Sequence, residues 1–61
     1  MKYNELERKL RKIGCHQVGE QQGGHPLWYS PLTGRTFQMS NHGKEEVPRG
    51  TLRKIMIASG L

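Results

Sequence analysis

Residues 15–39, CHQVGEQQGGHPLWYSPLTGRTFQM, predict three short strands joined by two turns. The first strand lies in CHQVGEQ, the second in HPLWYS and the third in RTFQM. Gly23 and Gly24 provide the first turn, and Pro31 with Gly34 provides the second, because glycine and proline favour turn backbone conformations. Strands this short, joined by such turns, pair as an antiparallel sheet.

Alternation of side chains along these strands divides the sheet into a core face and an open face. We expect the core face to consist of Val18, Leu27, Phe37 and Met39. Trp28 then lies on the open face, where its ring could stack on a nucleobase or lie beneath a protein partner. The alternative is a partly covered strand aromatic with no further role.

One amphipathic helix is predicted before the strands and another after them. In YNELERKLRKIG, residues 3–14, apolar side chains recur at spacings of three and four, and Gly14 suits a left-handed helix end. In PRGTLRKIMIASG, residues 48–60, Pro48 suits the first helical turn and Gly60 the end. The predicted buried stripes are Tyr3, Leu6, Leu10 and Ile13 in the first helix, and Leu52, Ile55, Met56 and Ser59 in the second.

The order of elements predicts the fold. SNHGKEE, residues 40–46, lacks apolar periodicity and is expected to be a loop that crosses the molecule. Residues 1–61 then form a single domain of the α+β class, an α-β-β-β-α two-layer sandwich with both helices on one face of a three-stranded antiparallel sheet. This is the order of the double-stranded-RNA-binding fold, although a fold alone does not identify a function.

Charge and composition favour a polyanionic partner and argue against a membrane protein or a disulfide-rich secreted protein. Ten Lys and Arg against five acidic residues give a net charge of +5, which favours a polyanionic partner, although solubility alone could explain it. No apolar run is long enough for a membrane span or a signal peptide, so no membrane association is expected. The single cysteine cannot form a disulfide framework, which fits a cytoplasmic location.

The residues present exclude most of the common kinds of catalytic site. Cys15 and His16 leave opposite faces of a strand, so they cannot pair as nucleophile and base, and Cys15 is expected in the core. His16, His25 and His42 lack the regular spacing of a structural zinc site, so no metal is expected. No glycine-rich loop with an adjoining lysine leads from a strand into a helix, which argues against a nucleotide triphosphatase.

Acid–base chemistry by histidine therefore remains. RNA carries its own nucleophile, the 2′-hydroxyl, so cleaving it requires only a positioned base, an acid and cations for the phosphate. His25 follows a glycine pair at the entry to the second strand, where glycines let a phosphate come close. The alternative reading is a hydrogen-bonded turn residue, with Gly23 and Gly24 serving only the turn.

The sequence resembles the HicA family of small toxins, also grouped as YcfA-like proteins, over nearly the whole chain. The resemblance rests on GC at 14–15, GGHPLW at 23–28 and NHGKEEVPRGTLRKIMIASGL at 41–61. It implies a toxin of a type II toxin–antitoxin system, a metal-independent endoribonuclease that cleaves mRNA and inhibits translation without a cofactor. It also implies a cognate HicB-type antitoxin whose N-terminal domain covers the active site.

The resemblance also suggests roles for individual residues. The catalytic histidine of the family falls on His25, while Gly24 replaces the usual serine and Pro26 replaces a second histidine, so the second catalytic group stays open. Gly23 and Gly24 would leave room for the RNA backbone. Family members often keep a histidine at the position of His42, which suggests a supporting role.

The start of the second helix, PRGTLRK, is the predicted phosphate site. Free N–H groups at a helix start favour anions, and Gly50 has no side chain to block a phosphate. If this helix begins at the end of the sheet that carries His25, Arg49 and Thr51 would position RNA, or an antitoxin carboxylate, beside the imidazole. The alternative is that Gly50 permits close packing and Thr51 caps the helix.

Two other functions are compatible with the same sequence. A non-catalytic RNA-binding domain would share the fold and the charge, and a protein-interaction module would share the fold alone.

Overall fold

The computed structural model describes residues 1–20, 25–40 and 43–61, and it confirms the predicted α-β-β-β-α order. The predicted turn at Gly23 and Gly24 lies outside the described residues. The elements are α1 (Tyr3–Lys12), β1 (His16–Glu20), β2 (Pro26–Ser30), β3 (Arg35–Gln38) and α2 (Arg49–Ser59).

The three strands form one antiparallel sheet in the order β1-β2-β3, so β2 is the central strand. The predicted turn between β2 and β3 is confirmed: the Gly34 N–H donates to the Ser30 carbonyl at 2.8 Å, and Gly34 has a φ of 72°. Few residues other than glycine adopt that backbone conformation. The β1–β2 ladder shifts register between Gln17 and Gly19, which makes Val18 the extra residue of a bulge.

Both helices cover the same face of the sheet, as predicted. Trp28 and Ser30 are two positions apart on β2 and therefore share a face. The guanidinium of Arg11, on α1, lies 4.9 Å from the centre of the Trp28 ring. The Ser30 hydroxyl, completely buried, donates to the Ser59 carbonyl at the end of α2 at 2.6 Å.

The predicted face of β2 is wrong. Trp28 is 3% exposed and belongs to the core, whereas Leu27 is only half-buried on the opposite side. The reason is the pairing with β3, which sets Trp28 opposite Phe37 with the two rings stacked 6.4 Å apart. Val18 was also expected in the core and is 50% exposed, because the bulge removes it from the regular alternation.

The buried side of α1 is confirmed, and that of α2 is confirmed in part. Ile55 and Ser59 of α2 are buried, but Met56 is 39% exposed, so its predicted place in the core is wrong. Ile55 and Ser59 lie four residues apart and define a narrow stripe against the sheet, from which Met56 is turned by about 100°. The buried apolar residues are Tyr3, Leu6, Leu10, Cys15, Trp28, Phe37, Met39, Val47 and Ile55.

The segment that leads into α2 is attached to the start of α1. The N–H groups of Tyr3 and Asn4 donate to the carbonyls of Glu45 and Gly43 at 3.0 and 2.9 Å. These donors belong to the first turn of α1, where a helix has no acceptors of its own. Pro48 lies one residue before α2 rather than within its first turn, and its carbonyl accepts the first helical hydrogen bond.

We predict that Ser30→Ala lowers the free energy of unfolding by about 1–3 kcal/mol, because it leaves the buried Ser59 carbonyl without its donor. Urea unfolding at constant temperature measures the loss. Ser40→Ala is the matched control. It also removes one hydroxyl, but Ser40, unlike Ser30, is not fully buried. Equal effects of the two substitutions would contradict the anchoring role of the Ser30 hydroxyl.

Candidate active site

His25 lies directly before β2, at one end of the central strand, and its side chain is exposed. Within residues 1–20, 25–40 and 43–61 its ring takes part in no hydrogen bond or ion pair. The neighbouring Pro26 is held in the sheet, where its carbonyl accepts from the Met39 N–H at 3.2 Å. The start of β2 therefore presents an exposed imidazole that has no hydrogen-bond or ion-pair partner among the described residues.

The start of α2 lies at the same end of the sheet. At the opposite end, Ser59 of α2 is hydrogen-bonded to Ser30 of β2. The helix has 11 residues and spans about 16 Å. The strand has five residues and also spans about 16 Å, so both elements begin toward the other end of the sheet. Consistently, Thr51 and Gln38 line one hollow, and Gln38 pairs with Leu27 near the start of β2.

The structure does not support the alternative roles of Gly50 in close packing and of Thr51 in capping the helix. A Cβ added to Gly50 would meet no atom within 4 Å, so packing does not require glycine there. The helix has no side-chain cap, so Thr51 is not a capping residue. Among the described residues, no acceptor is found for the N–H groups of Arg49, Gly50 and Thr51. Three donors therefore point out of the start of an exposed helix.

A cleft of about 250 Å³ lies on the helix side of the sheet, beside Pro26. Trp28 contributes to its wall but is 3% exposed, stacked against Phe37 and covered by Arg11. The expectation that Trp28 offers a free ring face to a base is therefore wrong, since pairing with β3 turns the indole inward. The residues that line the cleft are Glu7, Gln17, Glu20, Pro26, Trp28, Met39 and Ser40.

Gly23, Gly24 and His42 lie outside the described residues, and their roles stay predictions. The described chain before and after His42 is attached to two different elements. Met39 is hydrogen-bonded to Pro26 there, and Gly43 is hydrogen-bonded to Asn4 of α1.

One pair of side chains was not expected from the sequence, in which His16 was considered only as a partner for Cys15 and as a zinc ligand. Cys15 is buried, as predicted. His16 stands opposite Tyr29, with ring centres 5.9 Å apart and an interplanar angle of 64°. The sequence contains no signal for this pair, because it depends on the register of β1 against β2.

Two further findings concern metal ions and membranes. Among the described residues, no group of three or more His, Cys, Asp or Glu side chains is placed to hold a metal ion. No helix in the described part of the chain has the length and apolar character needed to cross a membrane.

Comparison with known proteins identifies the family. The family model described as the HicA toxin of bacterial toxin–antitoxin systems matches residues 3–61. Neither the curated proteins nor the solved structures gave a match. Since the family match covers nearly all of the 61 residues, the chain belongs to the HicA family of bacterial toxins.

Proposed function

We propose that this HicA toxin is a metal-independent endoribonuclease that cleaves mRNA, and so inhibits translation, with His25 as its acid–base residue. The observation that carries the proposal is the position of His25. It is an exposed imidazole without a partner in the described chain, at the end of the sheet where α2 begins. An mRNA substrate also places its action in the cytoplasm.

The reaction uses the nucleophile of the substrate. The 2′-hydroxyl of RNA attacks the adjacent phosphorus, a new oxygen–phosphorus bond forms, and the bond to the 5′-oxygen breaks. His25 accepts the proton of the 2′-hydroxyl or donates one to the departing 5′-oxygen, as a histidine near neutral pH can do. The position that usually carries a second histidine holds Pro26, so the other proton transfer falls to a different group or to water.

The start of α2 supplies the phosphate site in this proposal. The N–H groups of Arg49, Gly50 and Thr51 lie at the exposed start of α2, where the helix dipole favours an anion, and Arg49 adds a positive charge to that turn. They would bind the phosphate next to the cleaved bond and stabilise the charge that develops on it. Gly23 and Gly24 are proposed to leave room for the RNA backbone, and His42 is proposed to support the site.

Membership of a toxin–antitoxin family implies an antitoxin partner. We propose that this partner is of the HicB type and that it covers His25 and the start of α2. Carboxylates of the antitoxin would then occupy the N–H groups that otherwise bind phosphate. An antitoxin and a substrate that compete in this way for the toxin require no conformational change for inhibition.

His25→Ala is predicted to reduce RNA cleavage by at least about 100-fold, which is the usual contribution of a positioned acid or base. RNA affinity should change little, because most of the phosphate binding comes from Lys, Arg and the N–H groups of α2. Cleavage is measured on a defined RNA and affinity by fluorescence anisotropy. Thermal unfolding of the variant shows whether the fold is intact.

The same RNA tests the mechanism when it is incubated with the protein and EDTA. Ends that carry a 2′,3′-cyclic phosphate support attack by the 2′-hydroxyl, and a strict requirement for a metal ion would exclude the mechanism. If the protein with intact His25 binds the RNA but never shortens it, the non-catalytic RNA-binding function is correct. Weak, salt-insensitive binding would favour a protein-interaction module.

Arg49→Ala is predicted to weaken RNA binding and to lower the salt dependence by about one phosphate contact, a slope change of about 0.7 for a single strand. Stability should barely change, because Arg49 is exposed. The matched control is Arg35→Ala, which removes the same charge at the opposite end of the sheet, beside Ser30. Identical salt slopes for the two variants would remove Arg49 from the site.

Gly50→Ala separates binding from packing. The added methyl group meets no neighbour, and alanine favours a helix, so the free energy of unfolding should stay equal or rise by up to about 1 kcal/mol. RNA binding should weaken about tenfold, the effect of losing one hydrogen bond to a charged group. A variant that is as stable and binds RNA as tightly as the original chain would show that no phosphate approaches Gly50.

A further inference from the structure

We propose that the face of the sheet opposite the helices is a stacking platform for the bases of single-stranded RNA, centred on Tyr29 and His16. This inference rests on the proposed function and deepens it, because it assigns the bases and the phosphates of one substrate to different surfaces. The face was not part of the candidate site derived from the sequence.

The platform is defined by the registers of the three strands. Tyr29 stands between His16 on β1 and Thr36 on β3, and Leu27 stands opposite Gln38. All of these side chains lie on the side of the sheet away from Trp28 and Ser30, where the helices pack. Leu27 and Tyr29 are half-buried and the others are exposed, so no described helix covers this face.

The two rings of the platform are already ordered by the protein. The His16 Nδ1 atom lies 3.2 Å from the Gly14 carbonyl, and the ring meets Tyr29 edge to face. Tyr29 in turn lies on the central strand, which is paired on both sides. Binding a base on such rings costs little side-chain entropy, which is one reason why aromatic platforms bind single strands well.

Charge and composition favour RNA as the occupant of this face. All five acidic residues lie elsewhere: Glu5 and Glu7 are on α1, Glu45 and Glu46 are next to the N-terminus, and Glu20 lines the cleft on the helix side. The platform therefore carries no carboxylate that would repel the phosphates of a bound RNA. Its polar members, His16, Thr36 and Gln38, are more typical of a nucleic-acid surface than of an apolar protein interface.

The platform continues to the proposed catalytic residue. Extending the alternation of β2 by one position places His25 on the same side as Leu27 and Tyr29. At about 3.3 Å per residue, His25 and Tyr29 are about 13 Å apart along the strand. That distance corresponds to at most about four nucleotides at the stacked spacing of ~3.4 Å. A base on Tyr29 therefore lies within a few nucleotides of a phosphate at His25.

The test compares Tyr29→Leu with Tyr29→Phe, both in a His25→Ala background that leaves the RNA intact. The probes are a short single-stranded RNA, an oligonucleotide of the same length with abasic positions, and a duplex of the same sequence. Tyr29→Leu should weaken binding of the single strand about 5- to 150-fold, the range measured when a stacking ring is removed. Tyr29→Phe keeps the ring and should bind as tightly as the parent.

The probes separate stacking from charge. Tyr29→Leu should leave the affinities for the abasic strand and for the duplex unchanged, since neither offers a free base to the ring. Ile57→Ala, an exposed apolar substitution on α2, is the control for nonspecific effects and should change none of the affinities. Thermal unfolding of Tyr29→Leu confirms that the leucine variant is folded.

Unchanged single-strand affinity in Tyr29→Leu would overturn the platform, and so would an equal loss for the abasic strand. Cleavage is assayed separately with intact His25, so the two proposals can fail independently. If the chain cleaves RNA while Tyr29→Leu binds normally, only the platform is wrong. If Tyr29→Leu loses base-dependent binding while the chain never cleaves, the platform stands and the catalytic proposal is wrong.

Discussion

The pairing of Trp28 with Phe37 sets the direction of the other side chains of β2 and β3. An indole buries roughly 150–250 Å², worth about 4–6 kcal/mol at 25 cal/mol per Å², which is comparable to the whole stability of many small domains. The face that carries Trp28 must therefore be the face that the helices cover. Because β2 alternates strictly, the same pairing sends Leu27 and Tyr29 to the opposite face, where they are half-buried.

The position of α2 follows from this arrangement and determines the site. Ser30 shares the buried face with Trp28, and its hydroxyl fixes the end of α2 through the Ser59 carbonyl. The Thr33 hydroxyl, in the turn after β2, donates to the Ala58 carbonyl and fixes the same helix end. With that end attached, the equal lengths of helix and strand bring the start of α2 to the end of the sheet at which β2 begins. The N–H groups of α2 and His25 thus lie at the same end of the sheet.

The sequence was sufficient for features that depend on local pattern and insufficient for those that depend on pairing. Periodicity located both helices and all three strands, and glycines marked the ends at Gly14, Gly34 and Gly60, where φ is positive. The segment HPLWYS alternates with a large apolar side chain on each face, so its periodicity could not decide between Leu27 and Trp28. Pairing with β3 decided it. The bulge at Val18 and the His16–Tyr29 pair likewise arise from strand register, which no local pattern encodes.

The proposed site divides one substrate between two surfaces that meet at one end of the sheet. Phosphates are assigned to the start of α2, where N–H donors and Arg49 are exposed, and bases to the rings of the open face. His25 lies between the two because it belongs to the strand that both surfaces share. A partner seated at this end of the sheet would therefore block phosphate binding and the imidazole together, whereas one bound only along the open face would leave the phosphate site free.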